Sequence, residues 1–117
     1  MEIKTDIIIF LPEDGRKKTL KDCTIIKEFM YKRENFIIVS SSKYYRVCYI
    51  NDDKTLYSFW CREMYDGNTK LTYNEILSTF RKEYDKNNIN GDLIRKFIKE
   101  PKKTISLNKK KTKVKKT

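Results

Sequence analysis

Residues 72–98 read TYNEILSTFRKEYDKNNINGDLIRKFI and carry the clearest secondary-structure signal in the chain. Thr72 and Glu75 have the spacing of a capping box, which marks the start of a helix. The apolar residues that follow recur at the spacing of one helix face: Tyr73, Ile76, Leu77, Phe80 and Tyr84. This pattern predicts an amphipathic helix that packs on the rest of the domain by that face.

The asparagines in the middle of the stretch predict a break between two helices. Asn87 and Asn88 are suited to end the first helix, because Asn tolerates the left-handed backbone conformation. Asp92 is the predicted N-cap of a second, shorter helix that ends before Pro101. The apolar positions of this second helix are Leu93, Ile94, Phe97 and Ile98. Residues 104–107 are predicted to form a closing strand.

The first third of the chain predicts a strand followed by a helix. Residues 6–11 are mostly β-branched or aromatic and precede the turn signal Pro12-Glu13-Asp14-Gly15, so they are expected to form a buried strand. Thr19 and Asp22 fit a second capping box. Apolar residues then fall at helical spacing at Cys23, Ile26, Phe29 and Met30. We therefore expect a helix over residues 19–33.

The middle of the chain predicts extended segments. Residues 36–39, 44–50 and 55–61 are rich in β-branched and aromatic residues, and Asn51-Asp52-Asp53-Lys54 is a turn signal between the last two. Strict alternation in the last strand would place Leu56, Ser58 and Trp60 on one face and Tyr57, Phe59 and Cys61 on the other. Both faces are mostly apolar, so this strand is expected to be covered on each side.

These elements define the predicted fold class. The order is strand, helix, two or three strands, helix, short helix and strand, which is typical of an α+β domain. We expect a small mixed or antiparallel sheet packed against two main helices. Residues 1–108 are predicted to form this single domain, and residues 109–117 a basic tail that is disordered unless RNA binds it.

The charge distribution indicates a polyanionic partner. The 117 residues contain 27 Lys and Arg against 16 Asp and Glu, a formal net charge of +11. Residues 99–117 contribute +8 of that total. Nucleic acid and an anionic membrane are the two kinds of partner that such a charge favours. The N-terminal apolar run, residues 7–11, is too short for a signal peptide or a membrane span.

Metal and catalytic sites are not expected from this sequence. The cysteines, Cys23, Cys48 and Cys61, do not have zinc-site spacing, and the chain has no histidine. Reduced cysteines buried in the core of a cytosolic protein are the simplest interpretation. We therefore expect no enzyme activity, no cofactor and no small-molecule substrate.

Several of these features resemble the eukaryote-specific large-subunit ribosomal protein twenty-two, a heparin-binding family. The resemblance rests on the first strand and its turn at residues 12–15, a first helix with a Phe-rich face, and a hairpin at residues 47–61. It continues where residues 84–88 lead into residues 93–98 and a final strand. The match covers residues 5–108 in element order.

The resemblance implies a structural constituent of the large ribosomal subunit, monomeric within that assembly and located in cytoplasmic ribosomes. The expected partners are ribosomal RNA and neighbouring large-subunit proteins, with no membrane. Arg81, Lys82, Lys86 and Arg95 would be the principal RNA-facing residues. The expected RNA contacts are Lys54, Arg81, Lys82, Lys86, Asn87, Asn88, Arg95, Lys96, Lys102, Lys103, Lys109, Lys110, Lys111, Lys113, Lys115 and Lys116.

Three other interpretations stay open at the level of sequence. The rings of Tyr44, Tyr45, Tyr49, Tyr57 and Trp60 could stack on single-stranded bases, although aromatic residues on strands more often pack a core. A single-stranded DNA-binding, coactivator-like module would have a curved sheet followed by one helix, which leaves residues 19–33 without a counterpart. A mobile-element or viral adaptor that binds nucleic acid or an acidic protein is the third. Co-purification would distinguish them.

Overall fold

The computed structural model describes residues 2–11 and 15–100, which form a closed five-stranded barrel followed by a small ribbon and two helices. The strands of the barrel are β1 (Lys4–Phe10), β2 (Lys17–Tyr31), β3 (Glu34–Ser41), β4 (Tyr44–Ile50) and β5 (Leu56–Glu63). The later elements are β6 (Tyr65–Asp66), β7 (Thr69–Lys70), α1 (Tyr73–Lys86) and α2 (Gly91–Lys99). The predicted α+β class, with a sheet packed against two helices, is confirmed.

The barrel is a meander in which each strand pairs antiparallel with the next along the chain. It closes where β1 pairs in parallel with β5, at Ile8 and Tyr57. The antiparallel order places the β2–β3 and β4–β5 turns at one end of the barrel. The β3–β4 turn and the β6–β7 ribbon lie at the other end.

The two faces of the barrel wall are buried in different ways. One set of side chains, the interior cluster, has as its buried members Ile7, Cys23, Ile37, Val39 and Cys48. With its partly buried neighbours it draws on all five strands and on neither helix, so it fills the inside of the barrel. The other set, the outer core, packs the helices on the wall and includes Phe36, Val47, Tyr49, Trp60, Ile76, Phe80, Tyr84 and Ile94. The expectation that β5 is covered on both sides is confirmed.

Helix α1 begins and packs as its sequence predicts. The side chain of Thr72 accepts a hydrogen bond from the backbone nitrogen of Glu75 (3.2 Å), and the Glu75 carboxylate accepts one from the Thr72 backbone nitrogen (2.8 Å). This reciprocal pair is a complete capping box. The buried residues of α1 are Ile76, Leu77, Phe80 and Tyr84, which confirms the predicted docking face.

The break between the helices is a Schellman motif. Asn88 has a left-handed backbone (φ 55), and its nitrogen donates to the Asp85 carbonyl oxygen at 3.1 Å. The nitrogen of Ile89 donates to the Tyr84 carbonyl oxygen at 3.0 Å, and both of these side chains are buried in the outer core. The prediction that the asparagine pair ends α1 is therefore confirmed.

The start of α2 differs from the prediction by two residues. The side-chain oxygen of Asn90 accepts a hydrogen bond from the Leu93 nitrogen at 2.8 Å, so Asn90 is the N-cap. The assignment of Asp92 as N-cap was wrong, and Asp92 lies instead in the first turn of the helix. Asn and Asp are about equally favourable as N-caps, and Asn90 lies closer than Asp92 to the end of α1.

The helix predicted over residues 19–33 was wrong, because this segment is the long strand β2. Its pairing with β3 shifts register between Ile25 and Lys27, and Asp22 has a left-handed backbone (φ 60). These irregularities interrupt the alternation of side chains along the strand. As a result Phe29 packs against the outer core while Met30 is 63% exposed, and the apolar residues imitate helical spacing.

A second irregularity changes the predicted face of one aromatic residue. The pairing of β4 with β5 shifts between Val47 and Cys48, so that Cys48 lies opposite Ser58 and Val47 opposite Trp60. Trp60 therefore joins Tyr57 in the outer core. Its predicted position on the same face as Ser58 was wrong, because a bulge reverses the alternation that follows it.

Three predictions fall wholly or largely outside the described residues: the turn at residues 12–15, the closing strand at 104–107 and the tail at 109–117. On either side of that turn, the Leu11 nitrogen donates to the Arg16 carbonyl oxygen at 2.7 Å, so β1 and β2 form a hairpin. Neither helix of the described part of the chain has the length and apolar character needed to cross a membrane.

Candidate nucleic-acid interface

Helix α1 presents three cations to solvent. Arg81, Lys82 and Lys86 are exposed. Lys82 and Lys86 lie on the side of α1 away from its buried residues, and Arg81 lies at the edge of the buried face, one turn after Leu77. The guanidinium of Arg81 lies over the ring of Tyr31, with its central carbon 5.5 Å from the ring centroid. Their predicted position away from the apolar stripe is confirmed. Their contact with RNA stays a prediction.

The β2–β3 turn adds two cations that the sequence analysis did not identify. Tyr31 pairs with Glu34, so the connection consists of only Lys32 and Arg33. Both have positive φ, 49 and 71 degrees, as a type I′ turn requires. Such turns strongly prefer Asn-Gly, because residues with larger side chains rarely adopt this conformation. The turn therefore holds two exposed cations at its tip in an unfavourable backbone conformation.

A shared carboxylate connects this turn to α1. Asp85 accepts a hydrogen bond from the Tyr31 hydroxyl at 2.8 Å, and its other oxygen lies 2.8 Å from the Lys32 ammonium. These contacts, that with Lys32 above all, hold the pKa of the Asp85 carboxyl below its usual value. The turn and the helix thus form one continuous surface. We call it the basic ridge and define it as Lys32, Arg33, Arg81, Lys82 and Lys86.

Arg95, which was predicted to face RNA, makes contacts within the protein instead. One of its terminal nitrogens donates to the Tyr49 hydroxyl at 2.8 Å and to the Glu34 carboxylate at 3.2 Å. The other donates to Asp92 at 2.9 Å. These partners, with Asp92 first, raise the pKa of Arg95. Arg95 therefore fastens α2 to β3 and β4, and it is not part of the basic ridge.

Replacing Arg95 with alanine is expected to lower the free energy of unfolding by about 1–3 kcal/mol, because Glu34 and the buried Tyr49 hydroxyl would lose their partner. Lys96, its exposed neighbour on α2, provides the control, since Lys96→Ala is expected to change stability by about 0.5 kcal/mol or less. Urea unfolding of both variants makes the comparison. Equal stabilities would show that the Arg95 contacts do not hold α2 in place.

The other predicted RNA contacts have different surroundings. The side-chain nitrogen of Asn87 donates to the Glu83 carbonyl oxygen at 2.8 Å, so this amide caps α1. Asn88 is exposed at the end of the helix, and Lys54 is exposed in the β4–β5 turn. Lys96 borders a cavity of about 540 Å³ that Asp52 and Asp92 also line. The predicted contacts outside the described residues are Lys102, Lys103, Lys109, Lys110, Lys111, Lys113, Lys115 and Lys116.

The aromatic residues do not form the stacking platform considered from the sequence. Four of the five rings are buried in the outer core, at Tyr45, Tyr49, Tyr57 and Trp60. Tyr44 alone of this set is exposed, at 37%, and the guanidinium of Arg46 lies 5.7 Å from its ring centroid. The surface formed by these strands therefore offers bases little opportunity to stack.

The three cysteines all lie in the described part of the chain and form no disulfide, and two of them belong to the interior cluster. Cys23 and Cys48 are buried, and Cys61 is half-buried. Burial raises the pKa of the Cys48 thiol, which keeps it protonated and unreactive. Within residues 2–11 and 15–100, no group of three or more Cys, Asp or Glu side chains is arranged to hold a metal ion.

The chain matches no protein-family model, no curated protein and no solved structure. The function is therefore inferred from the charges and positions of the protein's own residues.

Proposed function

We propose that the protein binds RNA through phosphate contacts made by the basic ridge, as a structural constituent of the large ribosomal subunit. The observation that supports this proposal is the division of α1 into two faces. One face is fixed in the outer core by Phe80 and Tyr84, and the rest of the helix surface exposes Arg81 at the edge of that face and Lys82 and Lys86 beyond it. A rigid helix then holds these charges in place for a polyanion.

Phosphate contacts account for such a surface in physical terms. Each cation that neutralises a phosphate releases condensed counterions, so affinity comes largely from charge and falls as salt increases. Such contacts position a protein without reading sequence. The lysines of residues 99–117 would add to the same attraction, since that segment contributes +8 of the formal +11.

The ribosomal part of the proposal is supported by the later half of the chain. The β4–β5 hairpin and the pair of helices α1 and α2 keep the element order of the ribosomal family that the sequence resembles. The first helix of that resemblance is absent, since residues 19–31 belong to β2 and residues 32–33 form the turn after it. Ribosomal RNA and neighbouring large-subunit proteins are the proposed partners, in cytoplasmic ribosomes. Binding of RNA by the basic ridge would involve no catalysis.

A single-stranded DNA-binding, coactivator-like role is the second candidate. The observation that favours it is the order of elements, because the strands of the barrel come first and the helices follow them after only the short β6–β7 ribbon. Its main difficulty in the sequence, a helix at residues 19–33, does not arise in the structure. However, that role needs exposed rings, and the aromatic residues of β4 and β5 are mostly buried.

Sedimentation of extracts from cells that express the tagged full-length chain tests the proposal. We expect the protein to sediment with large ribosomal subunits at low salt and to be released by high salt, because phosphate contacts are salt-sensitive. Ribonuclease treatment should release it as well. Recovery with DNA, release by deoxyribonuclease alone, or a position at the top of the gradient at low salt would contradict the ribosomal assignment.

A further inference from the structure

We propose that the β2–β3 turn is the second half of the RNA-binding surface, and that the complete basic ridge binds the phosphates of double-helical RNA. In this arrangement Arg33 takes the place that the sequence analysis gave to Arg95. The inference rests on the proposed function, and it adds both new contact residues and the structural class of the RNA.

The β2–β3 turn and the strand end before it are held against α1 by side-chain contacts. Asp85 contacts the Tyr31 hydroxyl and the Lys32 ammonium, each at 2.8 Å. Arg81 covers the Tyr31 ring at 5.5 Å from the other side of the same junction. These contacts hold Lys32 and Arg81 in place relative to each other, and they bring the turn, with Arg33 at its tip, beside the exposed surface of α1. A rigid arrangement of this kind loses little entropy on binding.

The two residues of the turn are unusual for its backbone conformation. An Asn-Gly pair would adopt the observed positive φ angles readily, whereas Lys32 and Arg33 adopt them at a free-energy cost. Lys32 and Arg33 therefore lower stability at this turn while they place two exposed cations beside the three of α1. Residues that lower stability locally are expected where they have a function. Within the described residues, Arg33 has no ion pair that would give it a structural role instead.

The surroundings of the ridge cations favour double-helical over single-stranded RNA. Proteins bind single strands largely by stacking bases on exposed rings, whereas they recognise duplex RNA by its shape, phosphates and 2′-hydroxyls. Among the described residues, the aromatic ring that lies at the ridge is that of Tyr31, and other side chains already pack against it. Arg81 covers it, and it makes edge contacts with Phe80 and Tyr84 at centroid distances of 6.4 and 5.3 Å. The ridge therefore offers charges without a stacking surface, which fits a duplex.

The double variant Lys32→Asn/Arg33→Gly tests this inference, because it separates binding from folding. Asn-Gly suits the turn, so the midpoint of thermal unfolding should equal or exceed that of the parent. The binding of the full-length variant to a mixed-sequence RNA duplex of about 16–20 base pairs is measured by fluorescence anisotropy at several salt concentrations. We expect weaker binding and a salt slope smaller by about one to two: one for Arg33, and up to one for Lys32, whose charge Asp85 partly neutralises.

A matched control removes two charges from the other end of the barrel. Lys43→Ala/Lys70→Ala has the same net charge as the test variant and is expected to bind with the slope of the parent. A parental slope and affinity for Lys32→Asn/Arg33→Gly would overturn the inference while leaving the proposed function intact. Tighter binding of the parent to single-stranded RNA of equal length would overturn the duplex assignment. Failure of the parent to bind any RNA would overturn the proposed function itself.

Discussion

Replacing Phe80 with alanine is expected to lower the free energy of unfolding by about 3–5 kcal/mol, the largest loss of stability of any change considered for this protein. Phe80 is fully buried at the centre of the outer core. Its ring centroid lies between 5.4 and 6.4 Å from the rings of six other aromatic residues, Phe29, Tyr31, Phe36, Phe59, Trp60 and Tyr84. Alanine would leave a cavity that these large, interlocked rings can fill only in part.

Urea unfolding followed by circular dichroism measures this effect, with an unchanged slope as evidence that only stability has changed. Leu93→Ala on α2 serves as the control, because that side chain is 38% exposed and its loss is expected to change stability far less. A loss of less than about 1 kcal/mol for Phe80→Ala would show that α1 does not depend on this side chain for its position on the barrel.

Replacing Arg81, Lys82 and Lys86 together with alanine is expected to give the largest loss of RNA binding. The circular dichroism spectrum should be preserved, since all three side chains are exposed and alanine is the best helix former. The salt slope of RNA binding should fall by about three, and affinity at low salt by about tenfold or more, for RNAs of unrelated sequence. Anisotropy titrations at several salt concentrations provide both quantities.

The control for this variant is Lys18→Ala/Lys43→Ala/Lys70→Ala, which removes the same charge from exposed positions at the opposite end of the barrel. Equal losses in the two triple variants would mean that overall charge, rather than the ridge, determines binding. Undiminished binding by the α1 variant would show that this helix face is merely solvated. The ribosomal proposal would then lose the observation that supports it.

The helical part of the fold could be predicted from the sequence because its signals are local. The apolar spacing of Ile76, Phe80 and Tyr84 extends over two turns, and the caps at Thr72 and Asn88 lie within a few residues of the bonds they make. Nothing distant in the chain had to be known. Such short-range consistency is what makes amphipathic helices readable.

Strand β2 could not be predicted because its pattern depends on its partners. Cys23 faces the interior cluster, while Phe29 packs against the outer core after the register shift between Ile25 and Lys27. A bulge is set by the pairing of two strands and leaves only a weak trace in one sequence. The resulting spacing of apolar residues matched that of a helix by coincidence. The first helix of the ribosomal resemblance depended on this spacing.

The candidate site was predictable in part for the same reason. The exposed side of α1 follows from its apolar face, whereas the role of Arg95 depends on Glu34 and Tyr49, which lie 61 and 46 residues away in sequence. Arg33 was missed because a type I′ turn is normally read from Asn-Gly, and no such pair is present here. Contacts between residues distant in sequence determine that Arg95 is engaged within the protein. An atypical turn determines that Arg33 is exposed.

The interior of the barrel is filled by side chains of the described strands and leaves no space for a bound ligand. Larger closed barrels, such as those of eight strands, are wide enough to enclose a small ligand and serve as containers. Here the corresponding space is occupied by the protein's own side chains, among them Ile7, Val39 and Cys48, which are at most 1% exposed. The barrel is therefore a solid support for the helices α1 and α2, which pack on the outside of its wall.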